Sequence, residues 1–253
     1  MKTIKYLAIG IISFPFLTGC ETMNQIASSL PQTTTPGSTS STSGAISQDQ
    51  AVTGIKQALN NGLQNSIKTL SASNGFFGDA LVKILMPQEA QKVEQALRSV
   101  GMGKLVDNFI LSLNRAAESA VKEAAPVFVN SLSQMTVTDA FNILLGSNQD
   151  AATSFFKRTT SATLTQKFSP IVESALGKNN VSTYWTQITT AYNALPISTN
   201  KVQTDLKAYV TQKAIDGLFV KVADEELKIR QNIGGSRNSS ILQSVFGWVD
   251  NQK

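Results

Sequence analysis

The chain has 253 residues, 42% hydrophobic and 15% charged, with one cysteine and no histidine. The missing histidine excludes an imidazole general base, an imidazole metal ligand and a titration switch near neutrality; the lone cysteine excludes an intrachain disulfide or a cysteine-based metal cluster. Twenty-two basic against 17 acidic side chains give +5, and with no basic run longer than Lys157-Arg158 that charge is too dilute for nucleic-acid binding.

Residues 1–20 read MKTIKYLAIGIISFPFLTGC. Lys2 and Lys5 form a basic start, and Tyr6 to Leu17 an apolar stretch. As a helix that stretch reaches about 18 Å, short of a bilayer core of about 30 Å. It reads as a secretory signal over residues 1–19. Leu17-Thr18-Gly19-Cys20 resembles the bacterial lipobox. That resemblance implies cleavage before Cys20 and acylation of its thiol, a membrane anchor made of acyl chains. Glu21 stands where enterobacterial inner-membrane lipoproteins carry Asp, which points by analogy to the outer membrane. Residues 28–44, SSLPQTTTPGSTSSTSG, show no apolar periodicity and read as a tether. The expected organisation is a leader over 1–19, a lipidated and flexible segment over 20–47, and one helical domain over 48–253.

From residue 48 onward apolar residues recur at helical spacing. Val52, Ile55, Leu59, Leu63, Ile67 and Leu70 mark a first helix, with Gly62 inside it predicting tight packing or a bend. A second opens at Pro87 and stops at Val100. The third carries Leu105, Phe109, Leu113, Ala116, Ala120 and Ala124, to be kinked or ended by Pro126. Thr136 and Asp139 predict a capping box for a helix ending at Gly146. A helix over 150–168 meets Pro170 and is expected to break there, with a piece continuing to Gly177. Ser182 is a predicted cap for a helix to Leu195. A long amphipathic helix spans 204–232, and Leu242, Val245, Phe246 and Val249 mark a short last one. Eight to ten helices make an all-α orthogonal multi-helix bundle.

At these residues the chain resembles the bacterial exported proteins grouped as domain-of-unknown-function family 4197. The segments that carry the resemblance are LNRAAESAVKEAAPVF (113–128), DAFNILLG (139–146), AATSFFKRTT (151–160), KFSPIV (167–172), DLKAYVTQKAIDGLFVKVADEELKIRQN (205–232) and VFG (245–247). One departure falls after Asn232, where the family usually has Pro and this chain has Ile233. The resemblance implies an all-helical envelope protein and brings no catalytic residues.

Motifs for chemistry are weak. Gly101-Met102-Gly103-Lys104 lacks the first glycine and the metal-binding hydroxyl of a phosphate loop. Ser119-Lys122 and Ser154-Lys157 have the Ser-x-x-Lys spacing without its companion motifs. Glu118-Ser119 resembles the dipeptide of lytic transglycosylases, again alone. On a helical wheel Glu225 falls inside the apolar stripe and Glu226 at its edge, while Asn114 and Glu118 flank the apolar face around Leu113. Buried carboxylates need partners, so the candidate site is a buried polar network drawn from Asn114, Arg115, Glu118, Arg158, Glu225, Glu226, Arg230 and Arg237. No catalytic set, metal site or cofactor is assigned. The first functional reading is a lipid-anchored binding or interaction module facing the periplasm, for an envelope protein or a small ligand. A carboxylate-based glycan hydrolase and an apolar-ligand or lipid carrier are the alternatives.

Overall fold

A computed structural model describes residues 46–196 and 204–252. The leader, Cys20 and nearly all of the tether lie outside the described residues. Among those residues there are nine α-helices and no strand, so the chain is an all-α bundle.

Helix α1 (Gln48–Ser71) starts at a capping box, with the Ser47 hydroxyl and the Gln50 side chain each serving the other's backbone amide. Its buried stripe runs through Ile55, Leu59, Leu63 and Leu70. Gly62 lies against Cβ of Glu225, 3.2 Å from where its own Cβ would stand, so its role is close packing. Residues 72–87 then form turns and an extended piece without a helix, a stretch the periodicity left unread. A single 3-10 turn (Gln88–Ala90) leads into α2 (Gln91–Ser99).

Helix α3 (Gly103–Val121) buries Ala116, Ala117 and Ala120 completely, and that small-residue face lets neighbours approach closely. It stops earlier than the expected Ala124. A 3-10 turn (Lys122–Ala124) follows, and Pro126 sits in the first turn of a new helix, α4 (Ala125–Ser133). Pro126 therefore opens a helix, the position where its missing N–H costs nothing. Helix α5 (Val137–Leu145) has the Thr136–Asp139 capping box read from the sequence.

Helix α6 (Ala151–Lys178) runs straight through Pro170, contrary to the expected break. Proline removes the hydrogen bond to the carbonyl four residues back. Both Gln166 and Pro170 are exposed, so water can serve that carbonyl. Helix α7 (Val181–Asn193) begins after Asn180 in a left-handed conformation (φ 58°), and Ser182 is not its cap. Helix α8 (Leu206–Gln231) is capped by Asp205 and ends on left-handed Asn232. Ser239 caps α9 (Ser240–Asp250).

Helix α8 is the hub, packed on α6, α1 and α3. Phe128, Phe155, Phe156 and Phe219 meet edge to face between α4, α6 and α8, with centroids 5.2–6.3 Å apart.

Candidate functional site

The eight residues expected to form one network fall into two buried clusters, with Arg158 and Glu225 outside both. The first cluster lies on α3. Asn114, fully buried, accepts from the Ile84 amide at 2.9 Å and donates to the carbonyls of Ile84 (2.8 Å) and Ile110 (2.7 Å). One turn on, Glu118 accepts from the Phe76 amide (3.2 Å) and from Arg115 (2.7 Å). Arg115 in turn donates to the side chain of Asn74, whose φ is +67°. These three residues strap the irregular segment 74–84 onto α3. Phe76 completes the strap from within: it is fully buried, and its ring lies 2.6 Å from where a Cβ on Gly217 of α8 would stand.

The second cluster lies on α8. Glu226 accepts from the amides of Ala152 (2.9 Å) and Thr153 (2.8 Å) and from the Thr153 hydroxyl (2.8 Å). It thus caps the N-terminus of α6, where a negative charge is favoured, while the side chain of the local cap residue Asp150 accepts from the Ser154 hydroxyl and from no helix amide. Arg230 donates twice to Glu226 and once to the Ile143 carbonyl at the end of α5. Arg237 donates to the carbonyls of Ile229 and Arg230, pairs with Asp250 of α9, and stacks over Phe246 at 5.1 Å. The cluster joins α5, α6, α8 and α9.

The helical wheel inverted the two neighbouring carboxylates. Glu226 is 6% exposed, whereas Glu225 is half-buried and held by Lys228 (2.8 Å) and Asn65 (3.2 Å). Glu226 meets the N-terminus of α6, whereas Glu225 lies beside Gly62 and Asn65 of α1. The Glu225 and Asp224 carboxylates hold the Lys228 ammonium above its ordinary range. Arg158 is largely exposed, 3.9 Å from Asp139. Both buried carboxylates have each oxygen engaged by a donor, so neither is poised toward a substrate.

An open site lies elsewhere. Segment 81–91 and α8 enclose a groove of about 470 Å³. Leu81 (77% exposed), Leu85 (55%) and Val220 (40%) stand around it. Tyr209 crosses its floor and donates to the Leu85 carbonyl at 3.0 Å. Burial, and then the charge of Glu89, raise the Tyr209 hydroxyl above its ordinary pKa, so it keeps its proton. Lys83, Lys213, Glu89 and Asp216 ring the groove with balanced charge. Beyond one end Lys221 pairs with Asp79 at 2.5 Å, a bond that lowers the Asp79 carboxyl below its ordinary value. Sequence reasoning missed this groove. In LVKILM (81–86) both faces are apolar apart from Lys83, so the inward–outward alternation is invisible.

Among the described residues no three acidic side chains converge to hold a metal ion, and no helix is long and apolar enough to cross a membrane. Fold and site together define an all-α bundle with an open, partly apolar groove on one side of its central helix. The chain belongs to the family described as Protein of unknown function (DUF4197), whose model matches residues 45–247. No curated protein and no solved structure matches it.

Proposed function

We propose that this chain is a lipid-anchored cell-envelope protein, held in the outer membrane through Cys20 and facing the periplasm. Its helical body, carried on the 20–47 tether, is a non-catalytic interaction module, and the groove between segment 81–91 and α8 is its binding surface. The observation that carries this reading is the convergence of exposed Leu81, Leu85 and Val220 on one concavity. Large apolar side chains exposed singly are ordinary; three around one groove form a patch that favours a partner.

The alternatives find less support. A glycan hydrolase needs two carboxyl groups facing a cleft; Glu118 and Glu226 are both committed to internal donors, and of the two carboxylates at the groove, Glu89 and Asp216, the latter is held by Gln212 at 2.8 Å. A lipid carrier needs an internal cavity, and the apolar void beside Glu226 measures about 10 Å³, less than an acyl chain requires.

The test of the binding surface is a photo-crosslinking amino acid placed at Leu85 of the full chain in living cells. The reading expects a discrete adduct that is lost on Val220→Glu. Absence of any adduct at Leu81, Leu85 and Val220 refutes the binding surface. Release of fragments from purified peptidoglycan refutes the non-catalytic reading. The anchor is tested by palmitate labelling, which should vanish in Cys20→Ala.

A further inference from the structure

The backbone of residues 83–86 carries more information than the apolar side chains beside it. The single amide of Asn114 pairs with both the N–H and the C=O of Ile84. Those two groups point to the same side of the chain only when the residue is extended. Burial agrees: Val82, Ile84 and Met86 are buried, while Leu81 and Leu85 are exposed. Residues 83–86 are extended backbone without a paired strand, with Asn114 of α3 standing where a neighbouring strand would be.

Alternation then sends the backbone groups of Lys83 and Leu85 to the opposite edge. That edge faces α8 and the groove, because Tyr209 reaches the Leu85 carbonyl there. The Lys83 amide is used in a turn with the Asp79 carbonyl. Two groups on this edge have no partner among the described residues, the carbonyl of Lys83 and the amide of Leu85. An acceptor at one residue and a donor two residues later are the pair that one residue of a parallel strand bridges.

Resting on the reading of the groove as the binding surface, we propose that its occupant is an extended peptide segment of a protein partner, added as a strand alongside Lys83–Leu85. One residue of the peptide donates its N–H to the Lys83 carbonyl and accepts from the Leu85 amide. Its alternate side chains pack on Leu81, Leu85 and Val220. Balanced charge around the groove, Lys83 and Lys213 against Glu89 and Asp216, suits a neutral backbone better than a charged ligand. From Tyr209 to Val220 the α8 wall is about 16 Å long, the reach of about five extended residues. Main-chain pairing supplies affinity, and the apolar contacts supply selectivity.

The experiment pans a phage library of random dodecapeptides against the full chain in detergent, then titrates the selected peptides by amide NMR. The proposal expects peptides with alternating apolar residues, a downfield shift and slowed exchange at the Leu85 amide, and binding about tenfold weaker on Leu85→Pro. That substitution removes the donor while keeping an extended backbone. N-methylation of the peptide's central amide should weaken binding equally, an effect that leaves the protein unaltered. Selected peptides that bind as amphipathic helices, or that tolerate both changes, overturn strand pairing and leave the groove as an interaction surface. No selected peptide at the groove, with no cellular adduct at Leu85, overturns both.

Discussion

Glu226→Ala is the sharpest test of what holds the bundle together. The two carboxylate oxygens accept five hydrogen bonds, from Ala152, from Thr153 twice and from Arg230 twice. Truncation strands the Arg230 guanidinium, whose side chain is 6% exposed, together with two amides of α6. Removing one partner of a buried pair costs about 3–5 kcal/mol, and each stranded donor about 1–3 kcal/mol. These costs overlap, so the expected loss is about 4–6 kcal/mol. At about 2–4 °C per kcal/mol for a body of this size, the melting temperature should drop by about 10–20 °C. Urea unfolding followed by the fluorescence of Trp185 and Trp248 measures the loss. Glu226→Gln keeps the volume and one acceptor and should cost about 2–4 kcal/mol, since its new NH₂ faces existing donors. Pairing Glu226→Leu with Arg230→Met removes the stranded charge and should recover part of the stability, leaving the α6 amides, the Thr153 hydroxyl and the Ile143 carbonyl without these partners. A Glu226→Ala variant within about 0.5 kcal/mol of the parent, the range of an ordinary surface change, would refute the capping role.

Asn114→Ala should cost about 2–4 kcal/mol by freeing both polar groups of Ile84, and amide exchange at Ile84 should accelerate before the rest of the protein opens. Gly217→Ala gains about 1 kcal/mol of helix propensity but collides with Phe76, at about 1–3 kcal/mol; it should be neutral to destabilising, whereas Gly247→Ala, with nothing within 4 Å of its added methyl, should stabilise by about 0.5–1 kcal/mol in thermal melts. Asp79 and Asp139 have carboxyls lowered chiefly by the Lys221 ammonium and the Thr136 hydroxyl. Their stabilisation is present above the ordinary carboxyl value near 3.8 and is lost as pH falls through the lowered folded values. Asp79→Asn should therefore flatten the fall of unfolding free energy as pH drops below the ordinary carboxyl value near 3.8. An unchanged slope would show that the Lys221 contact contributes nothing.

Most helices were legible because each buries one face against several neighbours, and the 3.6-residue repeat survives that context. The Thr136–Asp139 cap was legible because both partners lie within one turn. What the sequence concealed depends on distance along the chain. The cap of α6 comes from Glu226, 73 residues beyond Thr153. The strap on segment 74–84 comes from α3, and the site that receives Phe76 comes from Gly217 of α8. Pro170 misled because the hydrogen bond it removes falls on a stretch of α6 where both Gln166 and Pro170 are exposed, and the helix continues. Glu225 and Glu226 misled because a wheel centred on Leu218 averages over a helix whose neighbours change along its length. The groove was concealed because its extended segment is apolar on both faces.

Helix α8 sits at the centre of the bundle but near the end of the chain, which bears on the order of assembly. Helices α1, α3 and α6 each leave the ribosome before α8, against which all three pack. The α6 N-terminus waits for Glu226, and Phe76 waits for Gly217, more than 100 residues later. The late position of α8 therefore makes closure of the bundle one of the last steps of its synthesis.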